Sequence, residues 1–188
     1  MPEMAQGETG TTEGTASGRP YVQLITERPV ERFLQRFFLS SLRFDSMLLV
    51  SPIIGALRGT RYRLEQVVAK VRAERIRTYV ITTPPAEDDR YHREALDILA
   101  GCDWVEIRYN SSLHAKLYVC KHQDRGFGLL GSANLTPTSV LRNTEVGVLV
   151  SSRGPGQGLV HEMYEWGTVR LRTSPDTKLV KRISAPRR

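Results

Sequence analysis

The rhythm of the chain changes near Tyr109, and that change limits the folds open to it. Before Tyr109, apolar runs alternate with amphipathic stretches long enough to be helices. Pro29 is placed to open a helix, and Val30, Phe33, Leu34, Phe37, Phe38 and Leu42 then recur at helical spacing. This aromatic face reads most simply as a core face, with a dimer contact as the alternative. Met47–Ile54 reads as a buried strand, and 61–75 as a helix with Leu64, Val67, Val68 and Val71 inward. Arg77–Thr82 is the next strand, stopped by Pro84-Pro85. Asp88 or Asp89 can cap a helix running to Ala100, with Gly101 as its stop, and Trp104–Tyr109 alternates like a half-buried strand. After Tyr109, strand-like runs follow one another across short turns: the His114 run, Phe127–Leu130 and Glu145–Val150. Parallel strands need long, usually helical, crossovers, whereas antiparallel strands can join by tight turns. The expectation is an α/β fold: one mixed β-sheet, parallel in its first half and antiparallel in its second, with helices on both faces. A short strand at 21–25 and a final helix from about Gly158 to Trp166 complete it, and no unit of 20–50 residues recurs.

Polar residues gather at one part of this plan. His114 and Lys116 stand two apart on a strand-like run and so share a face. A lysine beside a histidine in apolar surroundings is costly unless an anion or carboxylate is near. The next strand ends in Gly131-Ser132-Ala133-Asn134. Such a turn can bring short donors to an oxyanion, assisted by the positive end of the helix that Pro137 opens. Its bland reading is a capping cluster. Glu145 either marks a solvated strand end or accepts a hydrogen bond from one His114 ring nitrogen, aiming the other at its target. A nucleophile or base, a fixed cation and grouped donors suit phosphate-ester chemistry. The candidate catalytic residues are His114, Lys116, Asn134 and Glu145, with Ser132 and Gly131 as substrate-binding candidates.

His114-x-Lys116, then Gly131-Ser132-Ala133-Asn134, then Glu145 eleven residues after the Asn, resembles the phospholipase D superfamily, most of all its single-motif nuclease and restriction endonuclease branch. The resemblance spans about Pro20 to Trp166 in element order and is motif-specific from His114 to Glu145. The long motif has an aspartate seven residues after the His, where this chain has Lys121. The resemblance implies a phospholipase D-like fold and one active site built from two motifs. One His114 attacks phosphorus to form a phosphohistidine, and the other protonates the leaving oxygen and then activates water. Lys116, Asn134 and Ser132 hold the phosphate, Glu145 orients the histidine, and no metal or other cofactor takes part. His92, His122 and His161 are followed two residues later by Glu94, Asp124 and Met163, so H-x-K occurs once. One chain therefore carries half a site, and a homodimer is expected.

Charge bears on the substrate. The net charge is +7, and arginine supplies 22 of the 27 basic residues. The first 18 residues hold three Glu and no basic residue, so the remainder carries about +10. Arginine's planar fork suits phosphate, and the balance favours nucleic acid, with DNA the expected form. No base-reading motif is evident, so a helicase or DNA-recognition partner could direct the enzyme. Two alternatives remain: a phospholipid-hydrolysing or phosphatidyl-transferring enzyme, and a catalytically silent nucleic-acid-binding subunit. The run Met47–Leu57 is too short and interrupted to span a bilayer, no leader pattern opens the sequence, and two cysteines make no disulfide framework. A cytoplasmic protein without membrane attachment is expected. Residues 1–19 read as a disordered tail, 20–172 as the phospholipase D-like nuclease domain, and 173–188 as a flexible basic tail.

Overall fold

The computed structural model describes residues 20–184; the expected N-terminal tail lies outside them. The described chain forms one eight-stranded sheet in the order β1-β7-β6-β5-β2-β3-β4-β8. The strands are β1 (Val22–Ile25), β2 (Ser46–Val50), β3 (Arg77–Thr82), β4 (Val105–Asn110), β5 (Leu117–His122), β6 (Arg125–Gly131), β7 (Gly147–Ser151) and β8 (Thr177–Lys181). As the change of rhythm predicts, β2, β3 and β4 pair in parallel, and β5, β6 and β7 pair antiparallel. The seam between the halves is the antiparallel pair β2–β5.

Helices cover both faces, as expected. On one side α1 (Pro29–Leu39), α2 (Leu64–Glu74), α3 (Arg90–Ala100) and the short α4 (Pro137–Leu141) enclose the larger core. The aromatic stripe of α1 is indeed core: Phe33 packs against the Tyr118 and Phe127 rings, and Phe37 against Phe44. Two fully buried aromatics like Phe33 and Phe37 supply several kcal/mol of apolar transfer between them, roughly 2–3 each. On the other side α5 (Gly156–Glu165) runs directly into a π-helical stretch, Trp166–Leu171, over a smaller core of Leu48, Val50, Leu117, Val119 and Val150. Cys120 is a buried apolar filler whose thiol pKa burial pushes up.

Two expectations are corrected. Helix α2 starts at Leu64 rather than Arg61. Residues 55–63 form a loop instead, with Leu57 and Gly59 at positive φ and the Thr60 hydroxyl donating to Leu57 O. The tail expected from residue 173 is also structured in part, because Thr177–Lys181 pairs with β4 as β8. Lys181 Nζ donates to Cys102 O at 2.8 Å and Val105 O at 2.7 Å, so its charge answers loose carbonyls after α3.

The register sets where the polar residues gather. Val50 faces Leu117, Leu117 faces Leu130, and Gly131 faces Gly147. The carboxyl end of β2, the start of β5, the end of β6 and the start of β7 therefore meet at one edge. The parallel strands β2 and β3 end there too, the usual side for ligands in α/β sheets.

Candidate active site

His114 and Lys116 lie in the extended approach to β5, one to three residues before the strand begins, rather than within it. The alternation still holds. Leu113, Ala115 and Leu117 pack toward α5, while His114 and Lys116 turn to the opposite side. Lys116 Nζ sits 2.9 Å from His114 Nδ1 and donates to His114 O at 2.9 Å. An ammonium can only donate, so Nδ1 is the acceptor and the neutral ring carries its proton on Nε2.

Gly131 ends β6 beside this pair. Its N–H goes to Lys116 O at 3.2 Å, which ties the two strand ends together. A Cβ at Gly131 would come within 2.3 Å of Val146 O, so only glycine permits the close approach of the Glu145–Val146 segment. Ser132 then spends its hydroxyl proton on Glu145 Oε2 and accepts from Val146 N at 3.1 Å. The Ser132 hydroxyl, expected to donate to a phosphate, here donates to the Glu145 carboxylate, and Gly131 sets the spacing between the two segments. Asn143 Nδ2 gives Glu145 a second donor at 3.1 Å. Partial burial pushes the Glu145 pKa up, but hydrogen bonds from Ser132, Asn143 and Ser139, with the Lys116 charge, bring it below the usual carboxylate value. Glu145 stays ionised.

Within the chain Glu145 makes no hydrogen bond to His114; the His114 Nδ1 position is taken by Lys116. The orienting contact expected from the sequence is therefore not made inside one chain.

Asn134 sits half-buried in the next turn of the loop. Its Oδ1 lies 3.4 Å from Ser51 Oγ. Ser51, fully buried just past β2, is the residue that sequence reading missed. Its hydroxyl donates to Ile53 O at 2.6 Å and accepts from Leu135 N at 3.0 Å. An Ile54–Leu135 bridge and the bond Gly55 N to Leu135 O, 2.8 Å, complete the clasp between the two loops. Tyr118 supports the same loop from below through its hydroxyl on Ala133 O at 2.8 Å. A serine at the end of a buried apolar strand is a weak signal, because its partners lie 84 residues onward.

The arrangement offers an imidazole, a fixed ammonium, an ionised carboxylate and an amide on a clasped loop, all at one sheet edge. Residues 45–166 match the family described as "Cardiolipin synthase, PLD-like domain", and the chain belongs to this phospholipase D-like family of phosphodiesterases. No curated protein matches the sequence significantly. Among solved structures, the fold is similar to that of a phospholipase D family member, Nuc, from Salmonella typhimurium, with TM-score 0.63 and 15% identity over 85% of this chain and 99% of that one. It is similar to NucT from Helicobacter pylori, with TM-score 0.59 and 11% identity over 85% and 98%. It is also similar to TrmBL2, described as an archaeal chromatin protein with a novel mode of DNA binding, at TM-score 0.50 and 12% identity over 90% and 57%. Identities this low establish the mixed-sheet α/β fold.

Proposed function

We propose that the protein is a metal-independent DNA endonuclease whose active site is completed by a second copy of the chain. The observation that carries this reading is the state of the half-site. His114 and Glu145 are both present at one sheet edge, yet each is engaged by other groups, Lys116 for the imidazole and Ser132 and Asn143 for the carboxylate. With its proton on Nε2, the ring has no lone pair there to attack phosphorus. A carboxylate from a second copy, Glu145 of the partner subunit, accepts a hydrogen bond from Nδ1–H in place of the Lys116 contact, which keeps the ring proton on Nδ1 and leaves the Nε2 lone pair free as the nucleophile.

In the reaction, Nε2 of one His114 forms a bond to phosphorus as the P–O bond to the leaving strand breaks. The partner's His114, protonated, gives its proton to that leaving oxygen. It then takes a proton from water, the water oxygen attacks phosphorus, and the P–N bond breaks to restore the first ring. Proton transfer of this kind typically contributes about 10²–10⁴-fold. Lys116 and Asn134 of both copies stabilise the charge gathering on the phosphoryl oxygens. The Asn134 Nδ2 makes no hydrogen bond among the described residues and is available for this.

The arginine-rich surplus charge and the likeness to a DNA-binding chromatin protein support DNA as the polyanion. The test is cleavage of plasmid and oligonucleotide in EDTA. His114→Ala is expected to abolish cleavage and an acid-labile phosphoryl adduct while leaving dimerisation and DNA binding nearly intact. Cleavage that survives the substitution overturns the mechanism. The family's description favours a second reading, a phospholipid substrate. Turnover of cardiolipin or phosphatidylcholine vesicles, with DNA left uncut, selects it.

A further inference from the structure

We infer that the loop of residues 55–63 is a surface that tracks the nucleic-acid backbone beside the scissile phosphate, with Arg61 and Arg63 as its phosphate contacts. The inference rests on the DNA reading above and adds the part of the chain that grips the substrate outside the reacting group.

The loop is firmly mounted. Ala56, Leu57 and Tyr62 are buried, while Arg58, Gly59, Arg61 and Arg63 are exposed. The apolar residues anchor the loop, and the charges are what it presents. Leu57 is held at φ 56°, a left-handed conformation that is costly for a residue with a side chain. The Thr60 hydroxyl and N–H both close on Leu57 O, at 2.8 and 3.3 Å, and Leu64 N donates to Ala56 O at 3.1 Å. Arg58 Nε donates to Glu94 at 3.0 Å, so α3 braces the outer turn. Strain held in place by its surroundings is a mark of functional segments. The loop also stands at the catalytic edge. Gly55 N bonds Leu135 O at 2.8 Å, next to Asn134, and a Cβ at Gly55 would come within 2.8 Å of the Pro137 ring. Strands β2 and β3 run parallel and α2 carries the chain back between them, so the first turn of α2, with Arg63, lies at this same edge. Arg61 shares a groove of about 310 Å³ with Arg28 and Arg32 at the start of α1.

These charges sit where the fold alone disfavours them. Arg63 is the N-cap residue of α2, a position that prefers Ser, Thr, Asp or Asn and where the helix dipole opposes a cation. Its backbone N–H goes to Gln66 Oε1 at 2.8 Å, but its side chain, which can only donate, caps nothing. Arg28 holds the same place on α1. The neighbouring acids are already answered, Glu31 by Arg28 at 3.4 Å and Glu94 by Arg58. Arg61 lays its guanidinium over the Tyr62 ring at 5.4 Å, and neither it nor the Arg63 guanidinium has an acceptor among the described residues. Glu27 and Glu31 face three arginines in the groove, which leaves it positive. Two uncommitted guanidinium groups on a rigid mount, beside a site for phosphate chemistry, fit successive phosphates of one strand. Contacts of this kind hold the backbone and read no base. The loop presents no apolar side chain outward, whereas an element that lies in a lipid surface needs one to bury. Nucleic acid is therefore the polyanion it fits.

Fluorescence anisotropy of labelled oligonucleotides tests this, in the full chain carrying His114→Ala so that the DNA stays uncut, across a series of salt concentrations in EDTA. Arg61→Ala and Arg63→Ala should each reduce the slope of log affinity against log salt by about 1 and weaken binding roughly three- to tenfold, alike for unrelated sequences. The alanine pair should reduce the slope by about 2. Arg61→Lys/Arg63→Lys should restore it, because the slope counts neutralised phosphates. Arg170→Ala, at an exposed arginine of the π-helical stretch on the other sheet face, should leave the slope unchanged. In the chain that keeps His114, the alanine pair should raise KM with little change in kcat. Arg63→Ser gives α2 the cap it lacks, so its melting temperature should rise by about 2–4 °C while DNA affinity falls. An alanine pair that keeps the parent slope, in a protein that cuts DNA, overturns the inference and leaves the nuclease reading intact. So does an Arg63→Ser variant that melts lower and binds DNA as before. A wild type that neither binds nor cuts DNA overturns the nuclease reading and the inference with it. Anionic-vesicle binding that the alanine pair abolishes, with DNA affinity unchanged, assigns the loop to lipid and overturns the inference.

Discussion

The buried Ser51 hydroxyl joins the Gly55–Leu135 backbone bond in holding the Asn134 loop to the segment after β2. Ser51 sends its proton to Ile53 O, with Asn134 Oδ1 a weaker second acceptor, and receives the N–H of Leu135. Ser51→Ala leaves that buried N–H unpaired, which costs about 1–2 kcal/mol in stability. The looser loop is expected to lower kcat about tenfold with little change in KM, since the loop's donors act chiefly on developing charge. Steady-state kinetics beside a urea titration checks both. Ser132 offers a second test, through pH. Its hydroxyl helps hold the Glu145 pKa down, so Ser132→Ala lets that value rise toward the usual carboxylate range. The acid limb of the kcat profile should then move to higher pH, and an unmoved limb would separate Ser132 from Glu145 function. That His114, Lys116, Asn134 and Glu145 gather at one sheet edge was legible in the sequence, because their types and spacing follow the strand ends that meet there. Ser51 was not, and neither was the task of Ser132, because both depend on which loops the sheet register brings side by side.

Among the elements, α3 and β3 are joined by a buried polar relay. His92 on α3 is 1% exposed, and its Nε2 lies 3.0 Å from Thr82 Oγ1. That hydroxyl donates to Pro52 O at 2.9 Å, so the imidazole supplies the proton between them. Burial lowers the His92 pKa, and Asp89 at the start of α3 opposes this in part. The folded value thus lies below the ordinary value of about 6.5. As pH falls below about 6.5 the unfolded chain takes up the proton first, so stability is complete above that pH and declines beneath it. His92→Gln keeps an amide donor and removes the titration. Its melting temperature should therefore change less than that of wild type between about pH 7 and 5, as calorimetry would show. The helices themselves were readable from periodicity, α3 almost to the residue with its Asp89 cap. The start of α2 was not, because a loop with positive φ at Leu57 and Gly59 takes residues that a helix could equally have used.

For the whole molecule, the sheet's outer strands decide how well it is sealed. The parallel half would end in an open β4 edge were it not for β8, which pairs antiparallel along Ile107–Asn110. Removal of residues 173–188 takes away that strand and the Lys181 bonds to Cys102 and Val105 carbonyls. The shortened chain is expected to melt lower and to aggregate through the bared edge, as light scattering during a thermal ramp would reveal. The run of basic residues concealed this strand in the sequence, because a charged stretch whose lysine caps carbonyls looks the same as one that is solvated. The pairing also has a kinetic side. Arg108 and Leu179 are partners separated by 71 positions in the chain (179 − 108), and so the closing pair of the sheet is among its most non-local. Contacts of that range form late, after their closure entropy has been met by other structure. During refolding β4 therefore spends time as a sticky template, and the yield of native protein should fall as refolding concentration rises, even where the finished fold is stable.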